Sequence, residues 1–195
     1  MSGLSPKRWL KAVVFAIGCA AVSPLIFLAW IEARVTRGEA VFIAFAQLLA
    51  MVPGRVGTIL RGAYYYGTLK RSSWETHIGF GSLFTHRGAV LASNVSMGTY
   101  CVIGHANIGS KVMMGSRVSI PSGKRQHFGE SREIVAEVRY DTVDIGGGSW
   151  IGEGAIVLAS VGQGCIVSAG AVVTKAMPDS CIVCGNPAQV ISKLG

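Results

Sequence analysis

The sequence predicts a mainly β fold, a solenoid of three-sided coils behind an N-terminal apolar helix. Three observations carry that expectation: a six-residue rhythm of aliphatic residues, a high glycine content, and one long uncharged run near the start. The 26 glycines are about twice the usual frequency, and charged residues make up only 14% of the chain. The rhythm runs through Leu91, Met97 and Ile103, then after a five-residue step through Ile108, Met114 and Ile120. It resumes at Ile145, Ile151 and Val157, and after a four-residue step at Val161, Val167 and Val173. Two residues before each of these stands a mostly small one: Ala89, Val95, Cys101, Ala106, Val112, Val118, then Val143, Ser149, Ala155, Ala159, Cys165 and Ala171. Strand side chains alternate faces, so positions i and i−2 point the same way, here inward. Gly98, Gly104, Gly109, Gly115, Gly146 and Gly152 are expected to relieve the backbone where it turns. An amphipathic helix needs apolar residues every three or four positions and a hairpin sandwich needs two-residue turns, and neither matches a period of six.

The N-terminal part has a different character. Of the net charge of +8, +6 falls in residues 1–75 and only +2 in 76–195. The solenoid half is therefore nearly balanced and lacks the basic, aromatic-interleaved stripe of a nucleic-acid binder. Ala12 to Ile31 is a run of twenty uncharged residues flanked by Lys7, Arg8 and Lys11 and by Arg34 and Arg37, long enough for roughly 30 Å of hydrocarbon. It exceeds a secretory h-region and no A-x-A site ends it, so a retained anchor in contact with membrane lipids is expected. Ala40 to Val52 is too short to span and reads as re-entrant or interfacial. The intervening Glu32 to Glu39 carries two acids and two arginines, whereas Arg55, Arg61, Lys70 and Arg71 follow the second stretch; the two basic flanks both favour the cytoplasmic face of the inner membrane, which suggests a hairpin or dipping element rather than one simple crossing. The expected organisation is membrane-anchoring helices over 1–54, a basic linker over 55–75, and the solenoid over 76–195 with a loop at 121–142.

That loop is where the rhythm breaks, and a long loop in a repeat protein calls for a reason. It carries Lys124, Arg125 and His127, followed by Glu130 and Glu133. An imidazole titrates near neutrality and is suited to taking a proton from an alcohol, which makes His127 the candidate base. Glu130 is the first candidate to orient it and Asp141 the second. His105 falls inside a hexad and reads as structural or substrate-facing, whereas His77 and His86 have no assigned role. Cys101 and Cys165 occupy inward small positions, as core thiols do. Cys181 and Cys184 form a lone C-x-x-C without a second pair, so no metal is expected.

The repeat, the S-G-x-x-Q-H run from Ser122 to His127 and the stretch from Ser149 to Leu194 resemble the hexapeptide-repeat acyltransferase family, whose fold is a left-handed parallel β-helix. The likeness extends from about residue 55 and takes in R-G-A-Y-Y-Y at 61–66. It is nearest to sugar O-acetyltransferases of exopolysaccharide biosynthesis and to galactoside and maltose acetyltransferases. The resemblance implies acetyl-CoA as donor, a homotrimer, a saccharide or lipid-linked saccharide as acceptor, and His127 as the base of direct attack on the thioester. It implies donor-binding roles for Trp150 beside the acetyl group, Ala169 along the pantetheine arm, and Thr174 and Lys175 at a donor-binding turn. Gly185-Asn186-Pro187-Ala188 matches the family's exit from the helix. Gln189 and Ser192 stand where arginines commonly meet the nucleotide phosphates, leaving Lys193 or Lys175 to neutralise them as point charges. Two other readings exist. A carbonic-anhydrase-like enzyme needs three zinc-binding histidines, and the four here, at 77, 86, 105 and 127, contain no close pair at ligand spacing. A non-catalytic membrane scaffold predicts no CoA binding.

Overall fold

The computed structural model describes residues 6–123 and 140–194. Strands β1 (His77–Ile78), β2 (Leu83–Phe84) and β3 (Val90–Leu91) form a first three-sided coil, and β4 (Ser96–Met97), β5 (Val102–Ile103) and β6 (Ala106–Ile108) a second. The third contains β7 (Met113–Met114), β8 (Ser119–Ile120) and β9 (Val143–Ile145). In the fourth, β10 (Trp150–Ile151) and β11 (Ile156–Val157) are completed by a bridge at Val161, and in the fifth β12 (Ile166–Val167) and β13 (Val172–Val173) by one at Met177. β14 (Cys181–Gly185) continues the first face, and β15 (Ala188–Lys193) folds back antiparallel along it. All other pairings are parallel, in the order β1-β4-β7-β10-β12-β14, β2-β5-β8-β11-β13 and β3-β6-β9.

The register stacks like on like. His77, Ser96, Met113, Trp150, Ile166 and Ile182 pair successively, which places Ile78, Met97, Met114, Ile151, Val167 and Val183 in one inward column, all buried. Every large inward residue expected from the rhythm is buried, as is every small one but Ala159, which is half-buried. Where a small position is serine its hydroxyl is used: Ser149 Oγ accepts the Cys165 N–H at 3.0 Å and donates to Gly162 O at 2.8 Å. Ser82 does the same with Cys101 N–H and Gly98 O.

The glycines act differently from expectation. Positive φ occurs immediately before the small inward residue, at Gly81, Asn94, Tyr100, Lys111, Arg117, Gly148, Gly154, Gly164, Gly170 and Ser180. None of the glycines named from the sequence is among these. Gly79, Gly98, Gly115 and Gly152 instead stack at one corner, where a Cβ would strike the backbone of the next coil, 2.6 Å from Gly115 C in the case of Gly98. Coils about 4.8 Å apart leave no room there for a methyl group. Gly98→Ala should therefore cost about 1–3 kcal/mol through overpacking, read as a lower thermal midpoint with the fold retained.

Three helices close the first coil: α1 (Pro6–Val35), α2 (Ala40–Ala50) and α3 (Gly54–Thr68). Most of the stretch expected as a linker is thus helical and partly buried. Tyr65 lies edge-on to Phe84 at 4.9 Å, and its Oη accepts the Phe84 N–H at 3.1 Å. Tyr64 stacks on Phe42 and donates to Phe42 O at 2.9 Å. With Ala46, Leu49 and Ala50 these side chains cover the open end of the solenoid, the function of a capping repeat. α2 is accordingly part of the protein core on one side. α1 is long and apolar enough to cross a membrane by length and composition.

Candidate functional site at the irregular corner

Large inward residues follow one another every six positions around two of the three corners of every coil. At the third corner the step varies: Phe84 to Leu91, Ile103 to Ile108, Ile120 to Ile145, Val157 to Val161 and Val173 to Met177. All departures from the hexad lie on this one edge. It brings together residues 85–89, 104–105, 121–123 and 140–142, Leu158 to Ser160, and Thr174 to Ala176.

The two ends of the excursion are pinched at this edge. Asp141 N–H donates to Ser122 O at 3.0 Å, and Val143 N–H to His105 O at 3.0 Å. The buried Ser122 hydroxyl accepts the His105 N–H at 2.8 Å. Gly123, at φ 81°, faces Asp141 so closely that a Cβ would lie 2.6 Å from the Asp141 Cβ. His127 and Glu130 lie outside the described residues; Asp141 is exposed at the root of the excursion.

Beside that root is a cluster that the sequence reading did not assemble. His86 and His105 have ring centroids 5.0 Å apart, and Tyr140 lies 4.3 Å from His86 and stacks on His105 at 5.7 Å. His86 Nδ1 is 2.6 Å from Glu39 Oε2, and the other Glu39 oxygen accepts the Arg87 N–H at 2.8 Å. Burial raises the Glu39 carboxyl, but the His86 hydrogen bond and the Arg87 N–H outweigh it and hold the group below its ordinary value. Burial, then the His86 ring, lower the His105 imidazole, which favours its neutral, proton-accepting form. His105 lies in the five-residue step from Ile103 to Ile108 and not inside a full hexad as expected; the signal was available, because His86 and His105 both fall in irregular steps, in consecutive coils, and so share an edge. Glu39 carries no such signal, because it arrives from the α1–α2 connection.

The donor-side residues are spread around the solenoid. Trp150 is 45% exposed on the seven-stranded face, in register with Met113 and Ile166. Ala169 is exposed at the adjoining corner, its N–H beneath Gly152. Thr174 and the exposed Lys175 lie on the irregular edge, three coils or about 14 Å beyond His105. Lys193 pairs with Cys181 in β15 and is exposed. One chain does not gather these five into one pocket.

The inward cysteines are core thiols. Cys165 and Cys181 are buried with their sulfurs 3.6 Å apart, whereas Cys184 is exposed. Burial and the neighbouring Cys165 push the Cys181 thiol up to about 11, so it stays protonated. Among the described residues no group of three His, Cys, Asp or Glu side chains is placed to hold a metal ion.

No known family profile and no curated protein matches this chain. Solved structures do. A maltose O-acetyltransferase from Clostridium difficile 630 superposes with a TM-score of 0.66 and 21% identity, covering 80% of this chain and 87% of that one. A variant of AntD, an N-acyltransferase from Bacillus cereus in complex with dTDP and coenzyme A, gives a TM-score of 0.55 and 16% identity over 66% and 75% of the two chains. The likeness is one of architecture, and by it the chain shares the parallel β-solenoid fold of these two acyltransferases.

Proposed function

We propose that this protein is an acetyl-CoA-dependent O-acetyltransferase that modifies a hydroxyl of a sugar or lipid-linked saccharide at the cytoplasmic face of the inner membrane, during surface polysaccharide assembly. The observation that carries the reading is the concentration of every irregular step, the excursion and the His86–His105–Tyr140 cluster on one edge of a fold shared with a maltose O-acetyltransferase and with an N-acyltransferase that binds dTDP and coenzyme A. A scaffold has no use for such a polar, partly desolvated corner.

In this mechanism His127, steadied by Glu130 or alternatively Asp141, accepts the proton of the sugar hydroxyl as its oxygen attacks the thioester carbonyl carbon. The tetrahedral oxyanion is held by backbone N–H groups of a neighbouring coil. Its collapse breaks the C–S bond, and the proton returns from His127 to the departing CoA sulfur. The Glu39–His86 pair and His105 offer a donor and acceptors for further sugar hydroxyls. A homotrimer of left-handed β-helices supplies the groove that one chain lacks, setting Trp150, Ala169 and Lys193 of one protomer against the irregular edge of its neighbour, with Thr174 and Lys175 on that edge. Lys175 and Lys193 then neutralise donor phosphates.

The test is CoA release from acetyl-CoA by the full chain in detergent, with a panel of free and lipid-linked saccharides. Acceptor-dependent release is expected, and Trp150→Ala should raise the KM for acetyl-CoA about tenfold, equivalent to roughly 1.4 kcal/mol of lost binding, while leaving the acceptor KM in place. Absence of CoA binding in the wild type would return the chain to the scaffold reading.

A further inference from the structure

We propose that α1 does not cross a bilayer but lies flat on one, and that its outer face docks the protein onto an anionic phospholipid surface. The argument begins with where the ends of the helix are held. Near its start, Arg8 pairs with Glu75 at 3.2 Å, and Arg8 and Lys11 sit over the Trp74 ring at 5.9 and 5.4 Å. Near its end, Arg87 donates to Ala29 O and to Glu32, both at 2.6 Å. Trp74 and Glu75 lead into the first coil and Arg87 lies on that same coil, yet residues 8 and 29 are about 31 Å apart along a helix. The helix therefore runs across the end of the solenoid.

Its middle is fixed as well. Gly18 fits against Ile59 and Gly67 against Ile26, Phe15 meets Tyr66 edge-on at 5.5 Å, and Trp30 Nε1 donates to Gly67 O at 3.1 Å. Were α1 to follow the bilayer normal, the first coil would be carried into the hydrocarbon beside it. The polar turns and polar side chains at the corners of that coil would lose their water there, and lipid does not tolerate exposed irregular backbone.

Lying flat explains why the helix is apolar all round. The inner stripe, Gly18, Val22 and Ala29, is buried against protein, and the outer face exposes Trp9, Val13, Ile17, Phe27, Leu28 and Ile31. Lys7, Arg8 and Lys11 stand at one end and Arg34 and Arg37 at the other, the placement that anionic headgroups favour. A groove of about 540 Å³ lined by α1, α3 and the first two coils combines Lys7 and Lys11, beside Glu75, with Leu10, Val14 and Phe15, a mixture of cationic and apolar lining that suits a lipid phosphate and its acyl chain.

The experiment uses full-length protein in sealed vesicles of phosphatidylethanolamine and phosphatidylglycerol. One accessible cysteine at a time is placed by Trp9→Cys or Val35→Cys in a chain carrying Cys19→Ala and Cys184→Ser, in which Cys101, Cys165 and Cys181 stay buried, and is probed with a membrane-impermeant maleimide. Both positions are expected to react from the same side; reaction from opposite sides overturns the proposal. Ile17→Glu with Phe27→Glu, both at exposed positions, should reduce flotation with the vesicles by about tenfold or more while oligomer size is kept. If that double variant instead separates an oligomer and floats like the wild type, a second copy covers this face and the proposal fails. Neither readout uses CoA turnover, so each stands apart from the proposed activity.

Discussion

Replacing His127 with alanine is expected to lower acceptor-dependent CoA release by roughly 10²–10⁴-fold, the range over which a positioned general base contributes. The loss should fall on kcat, because the hydroxyl proton must leave in the transition state, whereas the donor is held elsewhere. Equilibrium binding of CoA should be unchanged. Glu130→Gln should give a smaller loss in kcat, and comparison with Asp141→Asn identifies which carboxylate orients the ring. A His127→Ala enzyme with full turnover would move the base to the His86–His105 pair, where burial and the neighbouring ring favour the proton-accepting form of His105.

Replacing Arg61 with methionine is expected to be the most destabilising single change outside the solenoid core. Arg61 is 1% exposed, and its guanidinium donates to Ile78 O at 3.0 Å, Leu49 O at 3.0 Å and Val52 O at 2.8 Å. It thus fastens the C-terminal end of α2, whose Leu49 O otherwise accepts only from the tight turn that follows the helix, to α3 and to β1. Its charge is balanced by the negative end of the α2 dipole. Methionine fills much of the volume but takes the donor from Ile78 O and Val52 O and leaves Leu49 O with the Val52 N–H at 3.2 Å alone, a loss of roughly 3–5 kcal/mol. The expected reading is a thermal midpoint lower by on the order of 10 °C in detergent. Arg61→Lys should recover only part of it, since one ammonium does not span both sides of the junction as a planar fork does. An unchanged midpoint for Arg61→Met would show that the cap contributes little to folding.

What the sequence by itself determined is the solenoid and its inward columns. Those follow from side-chain alternation within a strand and a fixed count between turns, both properties of consecutive residues, and so Leu91 through Val173 could be placed one by one. Even the irregular edge was present in the counting, as the five- and four-residue steps and the break after Ile120. The turns were only half legible. Nothing local distinguishes Gly98, kept small by the coil beneath it, from Gly148, kept for its positive φ. The tertiary structure alone decided that Glu39 meets His86 across 47 positions, that Arg61 holds three segments together, and that both ends of α1 return to one coil. These depend on how the helical cap docks. Docking is set by shape and by long-range polar pairing, which leave no period in the chain, whereas the repeat is written into every sixth residue.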